Sequence, residues 1–166
     1  MSNSELCTLY LKSPMGFLKV VVSESEIFSI QWTEKPQETR FELPDRFEGL
    51  FNGIRSQFEE YWSGSRRVFS LPCNFHWASP FLRDVWQALM RIPYGTTCTY
   101  GDVARSVGRP GAARAVGTAC ARNPFVIVVP CHRVVRHDGS IGNYSAPGGS
   151  NLKEALINFE RSNVRE

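Results

Sequence analysis

The stretch Val128-Val129-Pro130-Cys131-His132-Arg133-Val134-Val135 places a cysteine and a histidine side by side between two apolar runs. These flanks predict that the cysteine is held by rigid scaffold rather than by a mobile loop. A neutral thiol is a weak nucleophile, and an imidazole beside it can favour the thiolate, directly or through one water. The pair therefore indicates cysteine chemistry, although an isolated pair of this kind is more often an inert part of the core.

The segments next to this pair predict how it is held. The β-branched run from Phe125 to Val129 predicts a buried strand that delivers Cys131 at its end. Residues 137–140, His-Asp-Gly-Ser, predict a tight hairpin turn. A Gly-rich loop over 142–149 follows, and Ser150 or Asn151 can cap a last helix.

Glu160 is the candidate partner of the histidine. It follows Leu156 by four residues on the last helix, so its carboxylate turns towards the apolar side. A buried carboxylate needs a partner, and His132 is the natural one. The alternative is an exposed glutamate near the end of a helix, which is the commoner case.

Upstream of the pair, two short helices predict a DNA-binding motif. Ser79-Pro80 begins an earlier helix, Thr99 can cap the first short helix, and Gly108 ends it. The second short helix runs from Ala112 to Arg122 and is rich in Ala, Gly and Arg. The pair indicates a helix-turn-helix, with a small helical-bundle core as the alternative.

The charge distribution favours the DNA-binding interpretation. The net charge is +3, yet residues 1–75 carry 8 basic against 10 acidic side chains and residues 76–166 carry 11 against 6. Between Asp102 and Asp138 there is no acidic residue, and six arginines lie there: 105, 109, 114, 122, 133 and 136. A basic, acid-free segment is typical of a surface that binds a polyanion, and a solvated basic face is the alternative.

The first half of the chain predicts a small α/β unit without recognisable chemistry. Strands are expected over 6–11, 17–22 and 26–32, with a turn at Ser13-Pro14-Met15-Gly16. A helix capped by Asp45 follows and ends at Ser63-Gly64, and Arg66 to Leu71 is a further expected strand. The expected domains are 1–75 and 76–166, giving an α+β protein with an antiparallel sheet in the first domain and a mainly helical second domain.

Composition excludes several classes of protein. No run is long enough to span a bilayer and no signal peptide is evident, so we expect an intracellular, cytoplasmic protein. The five cysteines are an odd number without paired metal-ligand spacing, which argues against a disulfide framework and against a metal site. No second thiol is expected at a place where it could remove a group from Cys131.

The ordered motif around Cys131 resembles a known family. Pro130-Cys131-His132-Arg133-Val134, with Asn123-Pro124 before it and Gly142-Asn143-Tyr144-Ser145 after it, is similar to the active-site region of the O-6-alkylguanine-DNA alkyltransferases. The resemblance extends from about Phe81 to Glu160. It implies a winged helix-turn-helix-like second domain and a direct-reversal DNA repair protein that transfers an alkyl group irreversibly to its own cysteine, once per molecule. The substrate would be O6-alkylguanine, with O4-alkylthymine left open.

The resemblance also implies the role of each catalytic residue. Cys131 is the nucleophile, His132 accepts its proton through a water, and Glu160 stabilises the imidazolium. Asn123 braces the site, although an ordinary turn asparagine before proline is the alternative. Tyr100 crowds the backbone phosphate and hydrogen-bonds the guanine, which helps the base to leave.

The binding residues follow from the same resemblance. The damaged base is extruded into a pocket, and Arg114 fills the gap that it leaves in the stack. The pocket wall is expected to consist of Val134, Tyr144, Ser145 and Gly142. The rest of the DNA-binding surface is expected to consist of Tyr100, Ala113, Gly117 and Arg122.

The implied partner is double-stranded DNA that contains O6-alkylguanine. The protein is expected to bind it as a monomer, to use no cofactor and to have no membrane partner. Some relatives hold zinc near the N-terminus, but Ser4, Ser23 and Phe28 stand at the corresponding places and are not ligands, so no zinc is expected. Two other functions stay open: a lesion binder that does not react, and a DNA-binding regulator with Cys131 as an inert core residue.

Overall fold

The computed structural model describes residues 5–37 and 42–165, and the chain divides into two compact units, Met1–Asn74 and Phe75–Glu166. This division lies one residue before the predicted boundary after residue 75. The fold is α+β, as predicted, with an antiparallel sheet in the first unit and mainly helices in the second. No helix in the described part of the chain combines the length and the apolar character that a membrane span needs.

The first unit is a three-stranded antiparallel sheet with one helix. The strands β1 (Cys7–Ser13), β2 (Gly16–Val22) and β3 (Ile27–Thr33) are ordered β1-β2-β3, and α1 spans Asp45–Trp62. Leu18, Val20 and Val22 alternate along the buried face of β2, as period-two patterning requires. The three strands and the helix confirm the sequence prediction for this unit.

Two details of the first unit differ from the prediction. Asp45 is the first helical residue rather than the cap, because Pro44 stands at the cap position and makes no side-chain cap hydrogen bond. The strand predicted over 66–71 does not form. Its backbone groups are bound by side chains instead: Ser70 N donates to Gln57 Oε1 at 2.8 Å, while Val68 is 77% exposed.

Ser23 and Phe28, which stand where some relatives hold zinc, have ordinary structural roles. The Ser23 hydroxyl accepts the backbone N–H of Glu26 at 3.1 Å in the turn before β3, and Phe28 lies in that strand. Ser4 falls outside the described residues. Within residues 5–37 and 42–165, no group of three or more His, Cys, Asp or Glu side chains is placed to hold a metal ion.

The second unit contains the helix-turn-helix. Its predicted caps are confirmed: Ser79 Oγ accepts Leu82 N, and Thr99 and Asp102 form a reciprocal capping box. The elements in order are α2 Pro80–Met90, β4 Cys98–Thr99, α3 Tyr100–Ser106, α4 Ala113–Ala121, a 3-10 helix Cys131–Arg133, β5 Val134–Val135 and α5 Gly149–Val164.

A two-stranded parallel ladder positions the site. Cys98 pairs with Val134 and Thr99 pairs with Val135. Because α3 begins immediately after β4, this ladder brings Tyr100 beside the segment that carries Cys131. The indole Nε1 of Trp86 donates to Ala119 O at 2.9 Å and fastens α4 to α2.

Three sequence predictions for the second unit are wrong in detail. The run from Phe125 to Val129 is a closed loop rather than a strand: Val129 N donates to Phe125 O at 2.8 Å, and Ile127 has φ +72°. The run is apolar because it is buried, which does not require a strand. Residues 137–140 form the predicted turn, but no antiparallel hairpin forms around it in the described chain. The last helix begins at Gly149, before the predicted caps.

Candidate active site

A cavity of about 720 Å³ lies between α4, the start of α3, the Cys131 segment and the loop before α5. Its walls combine small side chains, aromatic rings and cations, and Cys131 is part of them. The lining residues are Tyr100, Gly101, Ala113, Arg114, Gly117, Thr118, Cys120, Ala121, Cys131, Arg136, His137, Asp138, Asn143, Tyr144, Ser145 and Lys153.

Asn123 fixes the position of the cysteine. Its side-chain Nδ2 donates to Val129 O at 2.7 Å and to Cys131 Sγ at 3.2 Å, and its Oδ1 accepts Phe125 N at 2.9 Å. The same side chain thus closes the 125–129 loop and donates to the sulfur of Cys131. A buried amide with all these contacts resists displacement, because each lost partner would leave a polar group buried and unpaired.

The Cys131 thiol is neutral in the free protein. Burial raises the pKa of Cys131, and this effect outweighs the hydrogen bond from Asn123 and the positive charge of Lys153, which lower it. Both opposing groups stabilise a thiolate, so they favour the anion once a base removes the proton.

His132 is a buried neutral imidazole beside an ionised carboxylate. Burial lowers the pKa of His132, against the hydrogen bond and charge of Glu160, which raise it. His132 Nε2 lies 2.8 Å from Glu160 Oε1. An ionised carboxylate can only accept, so the proton of the neutral ring is on Nε2 and the lone pair is on Nδ1. Nδ1 is buried and has no hydrogen-bond partner among the described residues.

Glu160 is the centre of a buried polar network. Its oxygens accept His132 Nε2, Arg133 Nε and Arg133 Nη2 at 2.8, 2.9 and 2.9 Å, and Gly95 N at 3.1 Å. Burial raises the pKa of Glu160, but the hydrogen bonds and charges of His132 and Arg133 outweigh it and hold the pKa well below its usual range. The predicted pairing of Glu160 with His132 is present.

Gly95 is required at its position in this network. Its φ is +77°, and a Cβ there would come within 2.5 Å of the Val164 side chain and 3.3 Å of Glu160 O. Only glycine allows the backbone N–H to approach the carboxylate so closely without moving the end of α5.

Tyr100 and Lys153 form another part of the cavity wall. Lys153 Nζ donates to Tyr100 Oη and to Asn143 O, each at 3.3 Å, and lies 5.6 Å from the centre of the Tyr100 ring. Burial, together with the nearby thiols of Cys120 and Cys131, raises the pKa of Tyr100 to about 12. The phenol therefore stays protonated at neutral pH, and because its oxygen accepts from Lys153, its own O–H is available to donate.

Helix α4 faces the cavity with small residues. Ala113 and Gly117 line it, and a Cβ added at Gly117 would lie 3.9 Å from the Tyr100 ring. Arg114 is exposed at the edge of the cavity, whereas Arg122 is exposed at the C-terminal end of the helix and does not line it. Small residues and a protruding arginine are what close approach to a nucleic acid groove requires.

The six arginines do not form one continuous basic face. Arg133 is 5% exposed and bonded to Glu160, so it is not available to phosphates. Arg105 is hydrogen-bonded to Asp102, the acidic residue immediately before the acid-free segment. The guanidinium of Arg109 lies 5.6 Å from the centre of the Phe81 ring.

Most of the residues selected from sequence converge on this cavity, and some do not. Seven of them line it: Tyr100, Ala113, Arg114, Gly117, Cys131, Tyr144 and Ser145. Asn123, His132 and Glu160 stand behind it as the buried support of Cys131. Val134 is buried in the ladder with Cys98, and Gly142 lies beside Tyr100, with 3.6 Å between an added Cβ and Tyr100 Oη.

Sequence reasoning missed two buried cations and a thiol. The burial of Lys153 could have been predicted from the helical spacing, because residues 153, 156, 157 and 160 share one helical face. All four are buried in the structure. Arg133 lies inside the apolar run that holds Cys131, which predicts burial. Cys120 lines the cavity because it follows Gly117 by three residues on α4.

Two family models match the chain. Residues 80–162 match the DNA binding domain of 6-O-methylguanine DNA methyltransferase, and residues 6–75 match the ribonuclease-like domain of the same protein. The two matches fall on the two units of the fold.

Curated relatives and solved structures agree with these matches. The methylated-DNA--protein-cysteine methyltransferase of Mycobacterium bovis is 38% identical over 92% of this chain and 90% of its own, and the constitutive enzyme of that name from Bacillus subtilis is 38% identical over 93% and 95%. The crystal structure of Mycobacterium tuberculosis O6-methylguanine methyltransferase is 35% identical and superposes with a TM-score of 0.79 over 96% of this chain and 94% of its own. A structure of Mycobacterium tuberculosis OGT in complex with DNA gives 0.80 at 35% identity, over 94% and 93%. The chain belongs to the 6-O-methylguanine DNA methyltransferase family.

Proposed function

We propose that this protein repairs DNA by moving the alkyl group of an O6-alkylguanine onto Cys131 Sγ, once and irreversibly. The observation that carries the proposal is the joint placement of Cys131 in the wall of a cavity and of the His132–Glu160–Arg133 network directly behind it. A buried base, its ionised partner and a thiol that borders open space are the parts that nucleophilic cysteine chemistry needs.

The reaction begins with loss of the thiol proton. His132 Nδ1 carries the lone pair, so it accepts the proton of Cys131 through a bridging water. The ring then becomes an imidazolium, and Glu160, already ionised and 2.8 Å from Nε2, stabilises that charge. The amide of Asn123 and the charge of Lys153 stabilise the thiolate that is left.

The thiolate then attacks the alkyl carbon. The new S–C bond forms as the bond from that carbon to guanine O6 breaks, and the electron pair leaves with the guanine. The Tyr100 O–H, kept protonated by its raised pKa, donates to the departing base and offsets its developing negative charge. The product is a thioether, which is a poor leaving group, so the protein acts once.

The base reaches Cys131 by leaving the duplex. Ala113 and Gly117 of α4 allow the helix to approach DNA closely, and Arg114 at the edge of the cavity occupies the place of the extruded nucleotide. Tyr144 and Ser145 form the outer wall that holds the base. The protein works as a monomer in the compartment that contains the DNA, and added salt weakens its binding because phosphate contacts carry part of the affinity.

The test is the intact mass of the protein after mixing with duplex DNA that contains one O6-methylguanine. The parent gains one methyl group and Cys131→Ala gains none. A DNA-binding regulator or an unreactive lesion binder would leave the parent mass unchanged, which would refute the proposal.

A further inference from the structure

Arg136 is an exposed arginine that lines the cavity of Cys131 and takes no part in the proposed alkyl transfer. All six arginines between Asp102 and Asp138 are described, and Arg114 and Arg136 are the two that line this cavity. Within residues 5–37 and 42–165, the guanidinium of Arg136 forms neither an ion pair nor a hydrogen bond. A guanidinium at the edge of a cavity without a counter-ion is available to an anionic ligand.

The fold fixes the position from which this side chain extends. Thr99 pairs with Val135 at the end of the parallel ladder. Tyr100 and Arg136 are the next residues along these two strands, so they leave the ladder side by side. The backbone N–H of Arg136 donates to Ser140 O at 3.0 Å, which ties it into the turn that follows.

Arg136 and the Tyr100 hydroxyl flank the same point beside Gly142. A Cβ added at Gly142 would lie 3.5 Å from Arg136 Cγ, 3.6 Å from Arg136 Nε and 3.6 Å from Tyr100 Oη. Burial raises the pKa of Tyr100, and the positive charge of Arg136 opposes that effect. The guanidinium therefore lies near the hydroxyl that donates to the departing base.

An extruded nucleotide would bring two phosphates to the open side of this cavity. Its base must reach Cys131, whose side chain is buried, whereas the sugar and the phosphodiesters that tether the base to its strand stay outside. Arg114 and Arg136 are exposed where the cavity opens. A guanidinium binds a phosphate through paired charge-assisted hydrogen bonds, which gives both affinity and orientation.

We propose that Arg136 binds a phosphodiester that flanks the extruded nucleotide and so holds the alkylated base in the cavity. This inference rests on the proposed function and adds a substrate-binding residue to the same site. Arg114 fills the place of the base in the duplex, whereas Arg136 holds the nucleotide outside it.

Neighbouring charged groups leave this role to Arg136. Asp138 is the acidic residue in the cavity wall, but its carboxylate accepts Ser140 N at 2.9 Å and forms no ion pair with Arg136. Lys153 is another cation of the wall. It is 1% exposed and donates to Tyr100 Oη, so it is committed inside the cavity and is not placed to meet a phosphate outside.

The experiment compares the parent with Arg136→Gln and Arg91→Gln. Arg91 is the matched control, because it is an exposed arginine of the same unit that does not line the cavity. Each protein reacts with four duplexes that contain one O6-methylguanine. One duplex is unmodified, two carry an uncharged methylphosphonate linkage on the 5′ or the 3′ side of the lesion, and one carries it several nucleotides away. The second-order rate constant of transfer is measured for each duplex and for free O6-methylguanine base.

Arg136→Gln should lower the rate constant on the unmodified duplex about tenfold or more, the effect of losing one charge-assisted contact. With the free base, which has no phosphate, the change should stay below about twofold. One of the two flanking methylphosphonates should slow the parent by a similar factor, and on that duplex Arg136→Gln should lose nothing further, because the charge that Arg136 recognises is already absent. Arg91→Gln should behave as the parent on every substrate.

Three results would overturn the inference and leave alkyl transfer intact. They are a parent rate for Arg136→Gln on the unmodified duplex, an equal loss in this variant on all four duplexes, and an equal loss with the free base. The last two would mean that Arg136 acts without a flanking phosphate. Absence of transfer from any duplex to the parent contradicts the proposed function itself.

Discussion

Replacing Glu160 by Gln tests the buried network that supports the nucleophile. The carboxylate is 1% exposed and accepts from His132 Nε2, two nitrogens of Arg133 and Gly95 N. Glutamine keeps the shape but turns one oxygen into an NH2 group. At least one contact then sets donor against donor, and the buried Arg133 loses the carboxylate with which it forms an ion pair.

The expected losses can be estimated separately for stability and for rate. Breaking a buried ion pair by removing one partner costs about 3–5 kcal/mol, so the free energy of unfolding should fall by about that amount. In the proposed mechanism the transfer rate depends on the His132 imidazolium, which loses one charge-assisted hydrogen bond worth about 1.5–3 kcal/mol in Glu160→Gln. Since about 1.4 kcal/mol corresponds to a tenfold change, transfer should slow by about 10- to 150-fold.

The assay pairs urea unfolding, followed by circular dichroism, with single-turnover transfer from an O6-methylguanine duplex. Glu154→Gln is the matched control, because Glu154 is an exposed residue of the same helix, and it should behave as the parent in both measurements. An E160Q protein with parent stability and parent rate would refute the assignment of Glu160 as the anchor of His132.

Acid should remove the difference between the parent and Glu160→Gln. The folded pKa of Glu160 lies below its unfolded value of about 4.3, so its contribution to stability is complete above that pH and is lost as the pH falls towards the folded pKa. Burial lowers the pKa of His132, so both proteins also lose stability below about pH 6.5, where the unfolded chain gains a proton first. The stability gap should therefore stay constant down to about pH 5 and narrow below about pH 4. A gap that widens in acid would contradict a depressed Glu160 pKa.

Three further variants test other parts of the site. Cys131→Ala should abolish methyl gain and keep DNA affinity within about twofold, as a gel-shift titration measures, because the sulfur contributes to the new bond and not to docking. Arg114→Ala should slow repair of a duplex at least about tenfold more than it slows reaction with free O6-alkylguanine base, because the free base needs no extrusion. The exposed Arg91→Ala is the control for loss of a positive charge. Equal losses on both substrates would place Arg114 in another role. Asn123→Ala should lower the free energy of unfolding by at least about 2 kcal/mol in urea, since buried partners lose their hydrogen bonds, and an unchanged midpoint would contradict its bracing role.

The sequence predicted best where the physics is local. Two helix starts were predicted, at Ser79-Pro80 and at Thr99. Both are present, and in each the cap side chain accepts a backbone N–H only three residues away. Local patterns specify these elements because the groups that satisfy the backbone lie within a single turn.

The sequence predicted worst where a distant side chain or a fold-level contact decides. The run from Phe125 to Val129 carries the composition of a buried strand, yet the Asn123 side chain binds Phe125 N and Val129 O and closes it into a loop. The acid-free run of arginines predicts an exposed basic face, but Arg133 lies buried against Glu160, 27 residues away. Burial of a cation depends on a partner that only the tertiary structure supplies.

The central claim is that the alkyl group of the lesion ends on the sulfur of one cysteine. It is tested most directly with duplex DNA in which the O6-methyl group of a single guanine is isotopically labelled, followed by tandem mass spectrometry of the digested protein. We predict that the label is found on Cys131 as S-methylcysteine, that it reaches one equivalent per chain with excess DNA, and that no label is released on further incubation. Label on Cys98 or Cys120, or DNA that loses its methyl group while the protein stays unlabelled, would contradict the account.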